Sequence, residues 1–164
     1  MGGALLAVGA LPLSLAVPPS HADAGGNGSR SAATATPDGP RSRTALVDGA
    51  VGAQIKVACW LVTLPPGAFD GAAKVSVVVS GNGNRVVSLD LDPDSKNHFA
   101  VPAQLQYTRL GSSENVSAEA IYWWDPVQGE WTPVADQSAD PANGTLSAKL
   151  HHFSVYCVGG KAGW

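Results

Sequence analysis

The sequence predicts an all-β fold, an antiparallel β-sandwich of about eight short strands. Three observations carry that expectation. Apolar and polar residues alternate with period two from about Gln54 onward, the pattern of strands with one buried face. Glycine, asparagine and proline break the alternation at short intervals, as turns require. No stretch sustains the 3.6-residue period of an amphipathic helix.

In chain order, the first expected strand starts near Gln54. It places Ile55, Val57, Cys59 and Leu61 on one face, with Lys56 and Trp60 on the other. Pro65-Pro66-Gly67 ends it, because proline cannot donate to a ladder. Lys74 to Ser80 follows with Val75, Val77 and Val79 inward, and Gly81-Asn82-Gly83-Asn84 is a turn signal. Arg85 to Leu91 returns as a hairpin arm with Val87, Leu89 and Leu91 inward. Ala103, Leu105 and Tyr107 mark the next strand. Glu119 to Trp124 pairs through the turn Asp125–Gly129 with Trp131 to Val134. Thr145 to Leu150 and Phe153 to Val158 close the set, separated by His151-His152.

Composition narrows the function classes. The chain has 164 residues, of which 45% are apolar and 14% charged, with a net charge of −3. That length suits one folded domain. Without clustered Lys and Arg, the composition argues against nucleic acid as the main partner, and none is expected. Nineteen glycines and twelve prolines, with so few charges, exclude a coiled coil. Five tryptophans argue for a real core.

The N-terminal segment reads as an address. Ala4 to Val17 is apolar and uncharged, interrupted by Pro12 and Ser14, and shorter than the ~18 residues a spanning helix needs. Ser20-His21-Ala22 offers the small residues of a cleavage site. Residues 1–22 are therefore expected to be a signal peptide, leaving no transmembrane segment in the mature chain. No Lys or Arg precedes the apolar run, a departure from the usual signal. Residues 23–50, rich in Gly, Ser, Ala and Thr with Arg30, Arg41 and Arg43, are expected to be a flexible linker. Residues 51–164 are the expected β-sandwich domain. The expected location is outside the cell or periplasmic.

Three segments occur in a telling order: Val62-Thr63-Leu64-Pro65-Pro66-Gly67-Ala68-Phe69, then Ile121-Tyr122-Trp123-Trp124-Asp125-Pro126 leading through Gly129-Glu130-Trp131 to Pro133-Val134, then His152-Phe153-Ser154-Val155-Tyr156. Together they resemble the ZU-five domain, named for zonula occludens and the uncoordinated-five netrin receptors, and more closely its secreted bacterial versions. The resemblance covers roughly residues 50–160. It implies a β-sandwich that serves as a structural or protein-interaction module, without a cofactor, whose partner is another protein or a cell-envelope component.

The resemblance also marks His152-Phe153-Ser154, because some members cut their own chain at a triplet of this kind. Ser154 Oγ would attack the Phe153 carbonyl in an N→O acyl shift, with His152 as base or as proton donor to the departing amine. Backbone strain at the bond would lower the barrier. The competing reading has Phe153 and Tyr156 packing in the core and the triplet uncut, and it is the one expected here.

Other candidates come from the residues themselves. Cys59 and Cys157 are the only cysteines, one in the first core strand and one in the last. A bridge between them is expected, closing a loop of about 100 residues worth about 4–5 kcal/mol by chain entropy. The other reading is two buried thiols. Trp123, Trp124 and Trp131 are binding candidates as a carbohydrate-stacking surface, with cross-strand aromatic packing as the plainer reading. Asp90, Asp92 and Asp94 alternate beside Asn97, but lack the Glu and Gly of a calcium loop. Adjacent His151 and His152 would point to opposite faces of a strand and cannot chelate one ion together. No metal and no cofactor is expected. Asn27, Asn115 and Asn143 lie in glycosylation sequons.

Overall fold

The computed structural model describes residues 41–109 and 116–161. The chain divides at Thr34/Ala35 into two units, and every described residue belongs to the second. The expected signal segment, residues 23–40 of the expected linker, and the sequons at Asn27 and Asn115 lie outside the described residues.

The described chain forms eleven strands: β1 (Arg41–Asp48), β2 (Ala53–Val57), β3 (Trp60–Leu64), β4 (Ala72–Ser80), β5 (Val86–Asp92), β6 (Ala103–Thr108), β7 (Glu119–Asp125), β8 (Glu130–Pro133), β9 (Gln137–Asp140), β10 (Thr145–Leu150) and β11 (Val155–Gly160). Single 3-10 turns lie at Asn82–Asn84, Asp94–Lys96 and Val116–Ala118. Two antiparallel sheets result. Sheet A has the order β1-β4-β5-β11-β7-β8, and sheet B the order β2-β3-β6-β10-β9. The chain crosses between the sheets repeatedly, which makes the fold the sandwich that the alternation predicted.

Alternation decides which side chains meet in the middle. Val75, Val77 and Val79 of β4, Val87, Leu89 and Leu91 of β5, and Tyr156 and Val158 of β11 face inward from sheet A. Ile55, Val57, Trp60, Val62, Leu105, Tyr107, Leu146 and Leu150 meet them from sheet B. Trp60 is fully buried, its Nε1 donating to the Asn84 carbonyl at 2.8 Å and its ring 4.9 Å from that of Tyr107. The indole thus fills the core without losing its one hydrogen bond. A second, smaller cluster lies on the outer side of sheet A, where Ala120, Tyr122 and Cys157 pack under Val86 and Trp131.

Four expectations need correction. Residues 41–48 belong to the fold and not to the linker: β1 pairs with β4 along its whole length, from Arg41 opposite Val79 to Asp48 opposite Ala72. Only Val47 of β1 is buried, so a single anchor residue gave the alternation too little contrast to show. The strand expected from Gln54 is two strands, β2 and β3, folded back at Ala58-Cys59 with Val57 opposite Trp60. Ala58 takes φ 51 there, a conformation alanine rarely advertises. The turn reverses the parity, so Trp60 points inward and Leu61 outward. β9 was not expected, because Gln-Ser-Ala-Asp has no apolar alternation. It forms as the partner of β10, from Thr145 opposite Asp140 to Ala148 opposite Gln137. The last strand begins at Val155, two residues later than expected, leaving Phe153 and Ser154 in the connection from β10.

Candidate functional site

The expected chemistry centres on the β10–β11 connection. Phe153 is buried, its ring 4.8 Å from that of Phe99 in an edge-on contact. Its main chain pairs with a side chain in place of a strand. Phe153 N–H donates to Asn97 Oδ1 at 2.6 Å, and Asn97 Nδ2 donates to the Phe153 carbonyl at 3.1 Å. The Asn97 amide thus acts as a one-residue strand neighbour, satisfying both polar groups of a buried residue that no ladder reaches. Asn97 is itself fixed by the 3-10 turn Asp94–Lys96, its N–H donating to Asp94 O at 2.9 Å.

The other members of the triplet are also committed. His152 Nδ1 lies 3.1 Å from the Phe153 carbonyl oxygen, to which its Nδ1–H tautomer donates. The imidazole stands edge-on to Trp123 with ring centres 5.4 Å apart. The His152 carbonyl accepts from Tyr156 Oη at 2.7 Å. Burial pushes the Tyr156 hydroxyl well above its usual pKa, so it stays a donor at all ordinary pH. Ser154 Oγ donates weakly to Trp124 O at 3.5 Å, and the Ser154 carbonyl accepts from Leu89 N–H at 2.9 Å. His152 and Ser154 make no hydrogen bond with each other, so the structure does not assemble a base on the serine. The triplet is brought together in space but wired into the sandwich as structure.

The cysteines do not bridge. Cys59 and Cys157 are both free and buried. Alternation explains the separation: Tyr156 and Val158 point into the main core, so Cys157 between them points to the outer cluster of sheet A. Cys59 sits at the β2–β3 turn against the main core, its Sγ 3.4 Å from the Asn84 carbonyl. The sheet itself stands between the two thiols. Burial raises the pKa of each, and pushes Cys157 up to about 12, so both are poor nucleophiles.

The tryptophans divide as alternation dictates. Trp123 packs against the main core. Trp124 and Trp131 are directly opposed across β7 and β8 and point outward, their rings edge-to-face at 5.5 Å and 67°. All three are half-buried. The two rings therefore pack against each other and do not lie in one plane. Trp123, His151, His152, Lys149 and Tyr156 line a small cleft of about 120 Å³ between the sheets.

Asp90 and Asp92 stand exposed on β5, and Asp92 Oδ2 pairs with Lys74 Nζ at 2.9 Å. Among the described residues no three His, Cys, Asp or Glu side chains are grouped as metal ligands would be. Asn143 is exposed in the β9–β10 turn, its Nδ2 held by Asp140 Oδ2 at 2.6 Å.

Sequence reasoning overlooked the structural role of Asn97, and also that of Gln137. The Gln137 amide accepts from Ile121 N–H at 2.7 Å and donates to the carbonyls of Val134 and Ile121 at 2.7 and 3.2 Å. It ties β9 in one sheet to β7 in the other. No local pattern marks such a residue, since the Ile121 main chain that it holds lies 16 residues away. No protein-family model matches the chain, and no curated protein matches it either.

Proposed function

We propose that this chain is an exported, non-enzymatic β-sandwich module of ZU-five type that binds another protein or a cell-envelope component. One observation carries the reading. The Phe153 main chain is clamped by Asn97 on both its polar groups, His152 Nδ1 meets the Phe153 carbonyl, and Ser154 Oγ has only a long contact with the Trp124 carbonyl and no base beside it. Such a clamp suits a module whose last strand stays in place. A self-cutting one needs the serine freed and a base beside it.

A single feature favours the second reading, autoproteolysis of the Phe153–Ser154 bond. Two side-chain nitrogens, Asn97 Nδ2 and His152 Nδ1, converge on the Phe153 carbonyl oxygen at 3.1 Å each, and donors so placed would stabilise the oxyanion of an attack. The weak Ser154 Oγ contact with the Trp124 carbonyl supplies no base, so the first reading is preferred.

The test is the intact mass of the chain recovered from a secreting host, under denaturing conditions with and without reductant. A single species from Asp23 to Trp164, unchanged by reductant, is the expected result. A separate fragment from Ser154 to Trp164, abolished in Ser154→Ala, would establish cleavage instead. A chain still carrying residues 1–22 would sink the export part of the reading.

A further inference from the structure

The outer face of sheet B carries a feature that neither the triplet nor the tryptophans explain. Register places Thr63 of β3, Gln104 of β6 and Lys149 of β10 in one row across three neighbouring strands. At a strand spacing of about 4.8 Å the row is about 10 Å long. Beside it Pro65, Val101 and Pro102 form an apolar wall, and row and wall enclose an open depression of about 420 Å³. That volume lies within the range of small-ligand sites. Val101 is among the few large apolar side chains left exposed, at 41%.

Two members of this row, Thr63 and Gln104, have unused hydrogen-bonding capacity. Among the described residues, the side chains of Thr63 and Gln104 make no hydrogen bond to the protein. Gln137 is the contrast, with its amide committed three times to main-chain groups. A primary amide offers two donors and an acceptor, and a hydroxyl offers one donor and two acceptor sites. The charge is balanced as well, because Lys149 Nζ lies 2.9 Å from Asp136 Oδ2. The depression therefore presents neutral polar groups along one side, a dry wall on the other, and no net charge.

We propose that this depression binds a neutral saccharide. A sugar ring has the matching two-sided chemistry: hydroxyls at its edge for Thr63 and Gln104, and a C–H face for Pro65, Val101 and Pro102. An acidic ligand would find the one cation already paired, and a purely apolar one would strip water from the amide and hydroxyl without replacing its hydrogen bonds. The row has room for two linked rings. The inference rests on the non-enzymatic reading and names the ligand class for it. It uses the face opposite Trp124 and Trp131, so mutation tells the two faces apart.

The test is affinity electrophoresis of the full chain through native gels containing xylan, glucomannan, hydroxyethylcellulose or dextran, with polygalacturonate and dextran sulfate as acidic gels. At least one neutral polymer is expected to retard the protein. The double variant Gln104→Ala/Thr63→Val, altered only on the outer face, is expected to weaken that retardation at least tenfold, whereas Trp131→Ala leaves it unchanged. Amide shifts on adding a short oligosaccharide of the retarding polymer should map to β3, β6 and β10 of the unaltered chain, independently of any variant's folding. No retardation by any neutral polymer, retardation by the acidic gels alone, retention of binding in the double variant, or shifts confined to β7 and β8 would each overturn the proposal. A chain found uncut and exported that binds no neutral glycan would sink this inference alone. A chain found cut at Phe153–Ser154 would sink the reading beneath it.

Discussion

At the scale of single residues, one amide and one thiol carry separate, measurable parts of the stability. Asn97 replaces a missing strand for Phe153, so Asn97→Ala would leave a buried N–H unpaired and take one of two donors from the carbonyl. An unsatisfied buried group costs about 1–3 kcal/mol, and we expect Asn97→Ala to lower stability by about 2 kcal/mol, read from urea unfolding. Asn97→Asp restores the acceptor alone and should fall between. The thiol gives a pH signature. Cys157 has its folded pKa raised by burial to about 12 from an ordinary value of 9.0. The stability held in its neutral form is fully present below pH 9 and declines as pH rises through that window, because the unfolded chain loses the proton first. The slope from this group is at most about 1.4 kcal/mol per pH unit. Unfolding free energies of the native chain and Cys157→Ala, measured in reductant between pH 7 and 10, should therefore converge above pH 9. A difference that stays constant across that range would mean that Cys157 is not buried from water.

At the scale of elements, the readable strands were those with large, regular contrast. Val75-Ser76-Val77-Val78-Val79 and Val87-Ser88-Leu89-Asp90-Leu91 announce their buried faces, and the structure buries the residues expected. β1 and β9 are edge strands with one or no fully buried residue, so their existence depends on the partner more than on their own residues. The hairpin at Ala58-Cys59 was hidden because neither residue is a turn former, and the apolar run continued across it. The candidate site was legible as a triplet of residue types but not as an arrangement. Asn97 and the Thr63–Gln104–Lys149 row come together only through register between distant segments. One corner joins β1 to β2. Between β1 and β2, Gly49 N–H donates to Gly71 O at 2.9 Å and its carbonyl accepts from Gly67 N–H at 2.7 Å. A Cβ there would sit 1.9 Å from the Phe69 carbonyl oxygen. Gly49→Ala must push two segments apart, and we expect a loss of about 2–4 kcal/mol in chemical denaturation. A variant as stable as the parent would show that the corner yields easily.

At the scale of the whole molecule, the two outer faces have different characters. Sheet A carries half-buried tryptophans and the small cluster around Cys157, while sheet B carries the uncommitted amide and hydroxyl of Gln104 and Thr63. The alternation that built the core also sorted these faces, because every residue not pointing inward must point to one of them. Topology adds a property of its own. β11 lies in the interior of sheet A between β5 and β7, whereas β1 lies at its edge and pairs with β4 alone. Registers place Arg41, Val79, Val87 and Tyr156 in one row, and β11 runs antiparallel to β1 across it. The start of β1 and the finish of β11 therefore leave the sandwich at the same end. Tension applied between Arg41 and Gly160 would load the ladder of β1 one bond at a time, like a zipper, and not all at once in shear. The first event under load would be the peeling of β1, which leaves β4 as the new edge and the Phe153 clamp untouched. A domain pulled through that strand would yield at its edge while the rest of both sheets stayed whole.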